Sequence, residues 1–194
     1  MKIFFDTEFT GLHNGTTLIS IGLISENRKI FYAELTDYDE EQCDEWIKKN
    51  VLSHLYTWSQ KRLEDAPYIP NLHVGKRWEI ARALRVWFKQ FDYVELVSDV
   101  CHYDMVLFID LFENAFNLPK NVGASCYDIN QDIARYYGIS QTEAFNKSRE
   151  EILYDLHEDN IKGEKHNSLY DATVIKTIYE KIHNNNYDFK KVKA

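Results

Sequence analysis

Cysteine is scarce in this chain: there are three residues, at positions 43, 101 and 126, far apart and without a Cys-x-x-Cys pair. That spacing suggests neither a disulfide framework nor a zinc knuckle, and the three read as reduced core or surface thiols. No apolar run is long enough to span a bilayer, and the first residues lead into a strand without the basic and apolar regions of a signal peptide. A cytoplasmic protein without membrane attachment is expected. Positive charge is also in short supply, with 23 Lys and Arg against 31 Asp and Glu and a formal net charge of -8. Broad, nonspecific binding along nucleic acid backbones needs many basic contacts to phosphate, so that mode is disfavoured. Internal repeats, low-complexity tracts and composition shifts are missing too, which points to a single domain over residues 1–183 followed by a polar tail over 184–194. Hydrophobic residues make up 44% of the chain and aromatic ones 14%, enough for a core.

The chain opens on Phe4-Phe5-Asp6-Thr7-Glu8-Phe9, an apolar strand ending in two carboxylates. Residues 16–25 and 30–35 are two further β-rich runs on short connections, so an antiparallel meander is expected first. A helix over 39–52 follows, with acids at its start and lysines near its end, as the helix dipole favours. Residues 66–75 hold two of the three prolines and read as a loop. Helical periodicity covers 76–91, and a short strand 94–98 precedes a helix that starts near Tyr103 or Asp104. A strand edge over 125–129, short helices over 130–137 and 148–157, and a last helix over 168–183 complete the pattern, with Ser148 and Glu151 spaced as a capping box.

In a strand, alternate side chains share a face, so Asp6 and Glu8 point together, on the side of Phe4. For a bare Asp-x-Glu, a strand end that has reached solvent is the simpler explanation. Two further elements, however, carry an acid where the pattern calls for an apolar residue. Asp104 falls on the stripe of Leu107, Phe108 and Leu111, and Asp171 sits on the apolar side at the start of the last helix. Acids from one strand and two helices can converge at one end of a sheet, where oxygen ligands suit Mg2+ or Mn2+. His166 lies five positions before Asp171, which places an imidazole base beside such a centre. Two ions about 4 Å apart would then serve the attacking water and the leaving oxygen of a phosphodiester.

Three blocks now carry a resemblance: Phe5-Asp6-Thr7-Glu8-Phe9-Thr10-Gly11-Leu12, His102-Tyr103-Asp104-Met105-Val106-Leu107-Phe108, and His166-Asn167-Ser168-Leu169-Tyr170-Asp171-Ala172. In order, spacing and the His-x-x-x-x-Asp-Ala ending, the sequence resembles the DEDDh 3'-5' exonucleases, and most of all their small bacterial exoribonuclease branch typified by a mycobacterial RNase. The resemblance implies an RNase H-like α/β fold, a mixed sheet with the meander first and helices on both faces. It also implies two Mg2+ or Mn2+ ions, action on nucleic acid 3' ends with RNA favoured over DNA, and dimers of the kind known in that branch.

By the same resemblance, Asp6 would bridge both ions, Glu8 and Asp171 would complete the first site, Asp104 would serve the second, and His166 would be the general base. The backbone around Phe9 and Thr10 and the side chain of Leu12 would meet the 3'-terminal nucleoside. Position 100 is Val where many members carry Asn, which puts the contacts to the penultimate nucleotide in question. Asp99 competes with Asp104 for the second motif, although it lies at a strand end rather than on the helix stripe. His102 reads as a hydrogen-bonded turn residue or a ligand, and the tail lysines Lys190, Lys191 and Lys193 as solvating charges. A DNA exonuclease of the same family, a noncatalytic nucleic acid-binding module on this fold, and a glycosyl-transfer enzyme with an Asp-x-Glu metal site remain as alternatives. The last leaves His166 and Asp171 unexplained.

Overall fold

The computed structural model describes residues 1–65, 68–158 and 160–185 of the chain. The tail lysines, together with Ala66 and Pro67 of the expected loop, lie outside the described residues. Among the described residues, six strands form one mixed sheet: β1 (Lys2–Phe9), β2 (Leu18–Ser25), β3 (Ile30–Leu35), β4 (Leu72–Gly75), β5 (Val94–Ser98) and β6 (Val122–Asp128), in the order β4-β3-β2-β1-β5-β6. The first three make the antiparallel meander, while β4 joins β3, β5 joins β1 and β6 joins β5 in parallel. The chain enters at the centre of the sheet. Ile3, Phe4 and Phe5 are buried on both faces, which is why β1 reads as an apolar run rather than an alternation.

The helices are α1 (Glu45–Asn50), α2 (Gln60–Asp65), α3 (Arg77–Phe88), α4 (Cys101–Leu111), α5 (Asn130–Tyr137), α6 (Gln141–Asn146), α7 (Arg149–Asp155) and α8 (Ser168–Asn185). On one face of the sheet, α3 and α4 pack Leu84, Phe88 and Phe108 against Ile3, Phe5, Ile21 and Leu96. On the other, α5, α7 and α8 pack Ile133, Ile152, Ile175 and Ile178 against Phe4, Ile24 and Val97. Both faces are therefore covered by helices. A smaller cluster of Ile19, Ile47, Val51, Leu52 and Leu55 seats the α1 region against β2.

Four expectations change. The helix expected over 39–52 is broken, because two aspartates each begin their own turn. Asp39 caps a 3-10 turn over Glu40–Gln42, and Asp44 adopts extended backbone and accepts the Ile47 N–H at 2.8 Å to start α1. The proline-bearing stretch ends in strand β4, an edge strand of four residues that begins after Pro70 and is held by the pairs Tyr32↔Leu72 and Ala33↔His73. Helix α6 was not expected, although its start carries a complete capping box of Ser140 and Glu143. At α7 only half of the expected box forms: Ser148 accepts the Glu151 N–H, while the Glu151 carboxylate turns to Lys147.

One contact between layers decides where the end of α8 sits. A Cβ on Gly22 would lie 2.4 Å from the Ser168 carbonyl and the Leu169 nitrogen, so only glycine lets the helix start touch β2 there. Gly22 pairs with Asp6 across the β1–β2 ladder. Ser20 and Ser168 hydroxyls, 3.0 Å apart and buried, fasten the same approach. The first turn of α8 is thereby brought to the acidic end of β1.

Candidate active site

Asp6, Glu8, Asp104 and Asp171 meet at one cleft of about 370 Å³ beside the C-terminal end of β1. Pleating sends Asp6 and Glu8 to the face of Phe4, where α8 supplies Asp171, and sends Thr7 to the face of Phe5, where α4 supplies Asp104. Two carboxylate groups result. Asp6, Glu8 and Asp171 can each offer an oxygen within 4.8 Å of the others, and so can Asp6, Asp99 and Asp104. Asp6 belongs to both. Asp99, which sequence reasoning treated as a rival to Asp104, stands beside it, because β5 ends just before the turn into α4.

Each acid is held differently. Asp104 is fully buried, with Thr7 Oγ1 donating to Oδ1 at 2.5 Å and Ser98 Oγ donating to Oδ2. Ser98 Oγ also accepts the Val100 N–H at 3.0 Å, at the start of α4 where Val100 has no side chain able to cap. Asp99 Oδ2 accepts Arg149 Nε at 2.7 Å, and Arg149 in turn donates to Asn130 Oδ1 at 2.7 Å. Asp171 Oδ2 accepts the backbone N–H of His166 at 2.8 Å. Asp6 Oδ2, in contrast, is buried and has no hydrogen-bond partner among the described residues. A buried acceptor left empty is costly unless a cation serves it.

Burial and mutual repulsion act in the same direction on these groups. Burial first, then Asp104, Asp171 and Glu8, push the Asp6 carboxyl well above the usual carboxylate range. Glu8 is raised well above its ordinary value by burial and then by Asp171 and Asp104. Asp104 is pushed up to about 7 by burial, against the opposing hydroxyl bonds of Ser98 and Thr7. Asp171 also rises to about 7, through burial and then Asp99. Carboxyls crowded this way hold either protons or cations. An all-oxygen donor set with an unpartnered acceptor at its centre fits a hard divalent ion such as Mg2+ or Mn2+.

His166 stands at the mouth of the cleft. Its backbone is left-handed, with φ 63°, and its ring meets the Trp46 ring edge-on at 5.1 Å. Nδ1 lies 4.0 Å from Glu8 Oε1. Burial, then the charges of Lys165 and His54, hold the imidazole below its ordinary pKa, so it is neutral and able to accept a proton near neutral pH.

Of the residues expected to meet a nucleoside, Phe9 and Leu12 line the cleft. Phe9 stacks on Tyr103 with ring centroids 5.1 Å apart, and Leu12 is 78% exposed on the rim. Thr10 points elsewhere: it is buried, its hydroxyl bonds Gln42, and its N–H is spent on the Thr17 carbonyl. His102 is exposed and lines a separate cleft with His13, away from the acids. Sequence reasoning passed over Thr7, Ser98, Trp46, Arg149 and Lys165. Only Thr7, between the two acids of the first block, stood at a position that could have drawn notice.

The sequence profile of the 3'-5' exoribonuclease Rv2179c-like domain matches residues 1–183. The chain belongs to that family of 3'-5' exonucleases. Among its relatives are the 3'-5' exoribonucleases Rv2179c and MT2234.1 of two Mycobacterium tuberculosis strains, H37Rv and CDC 1551 / Oshkosh. Each is 28% identical over 128 residues, which cover 63% of this chain and 67% of the relative. The fold is that of the DEDDh enzymes and RNase H-like. The nuclease domain of 3'hExo, a DEDDh family member solved bound to rAMP, superposes with a TM-score of 0.62 at 14% identity, covering 95% of this chain and 92% of that one. Pop2p of S. pombe, solved in a form with Mg2+ and Mn2+ bound, superposes with a TM-score of 0.58 at 14% identity, covering 96% and 84%. Across the described residues of this Rv2179c-like chain, no helix is long and apolar enough to cross a membrane.

Proposed function

We propose that this chain is a metal-dependent 3'-5' exoribonuclease, releasing nucleotides from RNA 3' ends by a two-ion mechanism with His166 as general base. One observation carries the reading: Asp6 is shared between two carboxylate groups while its buried Oδ2 has no partner among the described residues. Asp6, Glu8 and Asp171 would hold one Mg2+ or Mn2+, and Asp6 with Asp104 and Asp99 the other. Bound there, the ions supply a polarised nucleophile and charge for the leaving oxygen.

The chain's own residues do the rest. Thr7 and Ser98 fix both oxygens of Asp104, so its carboxylate cannot turn away from Asp6. The His166 N–H bond to Asp171 ties the base to the first group, and the depressed imidazole pKa keeps Nδ1 or Nε2 open for the proton of the attacking water. Phe9 and Leu12, which line the cleft, would hold the terminal nucleoside with the scissile phosphate over the acids. RNA is favoured because both mycobacterial relatives are named exoribonucleases. We extend the proposal to a cytoplasmic enzyme of one domain, working as a homodimer that a solution mass would reveal.

Digestion of matched single-stranded RNA and DNA labelled at the 5' end tests the reading. RNA shortening one nucleotide at a time from the 3' end, with DNA slower, is expected. A preference for DNA would favour the DNA-exonuclease alternative.

A further inference from the structure

Two of the three cysteines stand far apart in sequence but touch in the fold. Cys101 Sγ, on the first turn of α4, lies 2.8 Å from Cys126 Sγ on β6, and both thiols are free. The contact is built by the sheet. Cys126 pairs with Leu96 across β5–β6, which turns its side chain to the face that α4 covers, where it packs against the core cluster. Each sulfur otherwise meets a carbonyl: Ser98 O at 3.6 Å from Cys101 and Tyr127 O at 3.8 Å from Cys126. Both residues are partly exposed, so a small thiol reagent can reach them, whereas Cys43 is buried in the separate cluster beneath α1. A disulfide has its sulfurs about 2.05 Å apart. Closing the pair therefore asks for less than about 1 Å of sulfur movement.

We propose that Cys101 and Cys126 form a reversible intramolecular disulfide, a redox modification site beside the acidic cleft. The oxidant is a small-molecule disulfide such as oxidised glutathione. One cysteine gives up its proton and attacks that disulfide, forming a mixed disulfide and releasing one reduced thiol. The second cysteine then loses its proton and displaces the remaining thiol, so that two S–H bonds and one external S–S bond become one internal S–S bond and two external S–H bonds.

The bond would reach the site through the first turn of α4. Cys101 and Asp104 are three residues apart on a helix and lie one above the other. Ser98, whose carbonyl accepts the Cys101 thiol, is also the residue whose hydroxyl holds Asp104. Drawing Cys101 towards β6 breaks the thiol bond to that carbonyl and moves the turn that carries Asp104. Displacements of about 1 Å cost on the order of 100-fold in a preorganised site. The oxidised form turns over RNA at least about tenfold more slowly and recovers on reduction. This effect on turnover rests on the exoribonuclease reading; the bond itself does not.

The test is to equilibrate the full chain with oxidised and reduced glutathione, then read intact mass, a non-reducing peptide map, thermal midpoint and RNA turnover. The expected result is a loss of about 2 Da, a peptide pair linking positions 101 and 126, and Cys43 still open to alkylation after unfolding. The midpoint should rise by about 7–14 °C, as a closed loop of this size gives in a domain of this length. Cys126→Ser should abolish the link and the midpoint rise, and Cys43→Ser should change neither. Stable glutathione adducts, a link through Cys43, or covalent dimers in its place would overturn the site. A linked protein with undiminished turnover would overturn the coupling to Asp104. A reduced protein inert on RNA would count against the function, while mass alone still decided the bond.

Discussion

Replacing Asp6 by Asn keeps the shape of the side chain but removes one negative charge from the point where two carboxylate groups overlap. In the parent, an ion that binds the folded chain alone stabilises it by RT ln(1 + [L]/Kd), about 2.7 kcal/mol at a hundredfold excess over Kd. For a chain of 194 residues, each kcal/mol moves the thermal midpoint by roughly 2–4 °C, so saturating Mg2+ should raise it by about 5–11 °C. Asp6→Asn leaves two carboxylates in each group, and the rise should fall below about 2 °C. Without metal the sign reverses. Asp104, Asp171, Glu8 and Asp99 no longer face a fifth charge, so the variant should melt at or above the parent's midpoint in chelator. Differential scanning fluorimetry at matched ionic strength, with KCl replacing MgCl2, separates binding from screening. A variant that keeps the parent's Mg2+ shift, or that melts well below the parent in chelator, would refute the reasoning.

His166→Ala should lower turnover by about 10² to 10⁴ while sparing the Mg2+-induced rise in midpoint, since the imidazole accepts a proton and the carboxylates hold the ions; loss of both together would mean that His166 is a ligand. Gly22→Ala would set a methyl 2.4 Å from the backbone of Ser168 and Leu169, so α8 must back away from β2; destabilisation of about 1–3 kcal/mol by urea melts is expected, with weaker metal binding because Asp171 moves with the helix. The metal-free protein should lose stability as pH rises. Asp104 and Asp171 bind protons up to about 7 in the folded state but only to their ordinary 3.8 when unfolded, so their contribution is full below about 4 and gone above about 7. Melts in chelator from pH 5 to 8 should show that fall, and Mg2+ should lessen it by taking the place of the protons; a midpoint that climbs over this range in chelator would contradict the crowding described here.

Much of the frame could be read from local pattern. The meander announces itself because β1, β2 and β3 are β-rich runs on short connections, and the inward-facing positions of the buried Asp104 and the half-buried Asp171 show as acids on apolar helix stripes. What stayed hidden depends on contacts across the fold. Gly22 is an ordinary strand glycine until α8 is laid against it. The pairing of Asp99 with Asp104 needs the turn between β5 and α4, whose geometry rests on Ser98 rather than on a capping side chain at Val100. Strand β4 gains its identity from β3 alone, and the break before α1 reflects two aspartates competing to start a helix. The contact of Cys101 with Cys126 likewise comes from strand register, which spacing along the chain does not reveal.

The most direct test of the central claim follows 5'-labelled single-stranded RNA through time with Mg2+, with chelator in its place, and with Asp6→Asn in Mg2+. The account predicts a ladder that shortens from the 3' end and releases nucleoside 5'-monophosphates in the first reaction only. Shortening that proceeds in chelator or with Asp6→Asn, or internal cuts in place of a ladder, would contradict it.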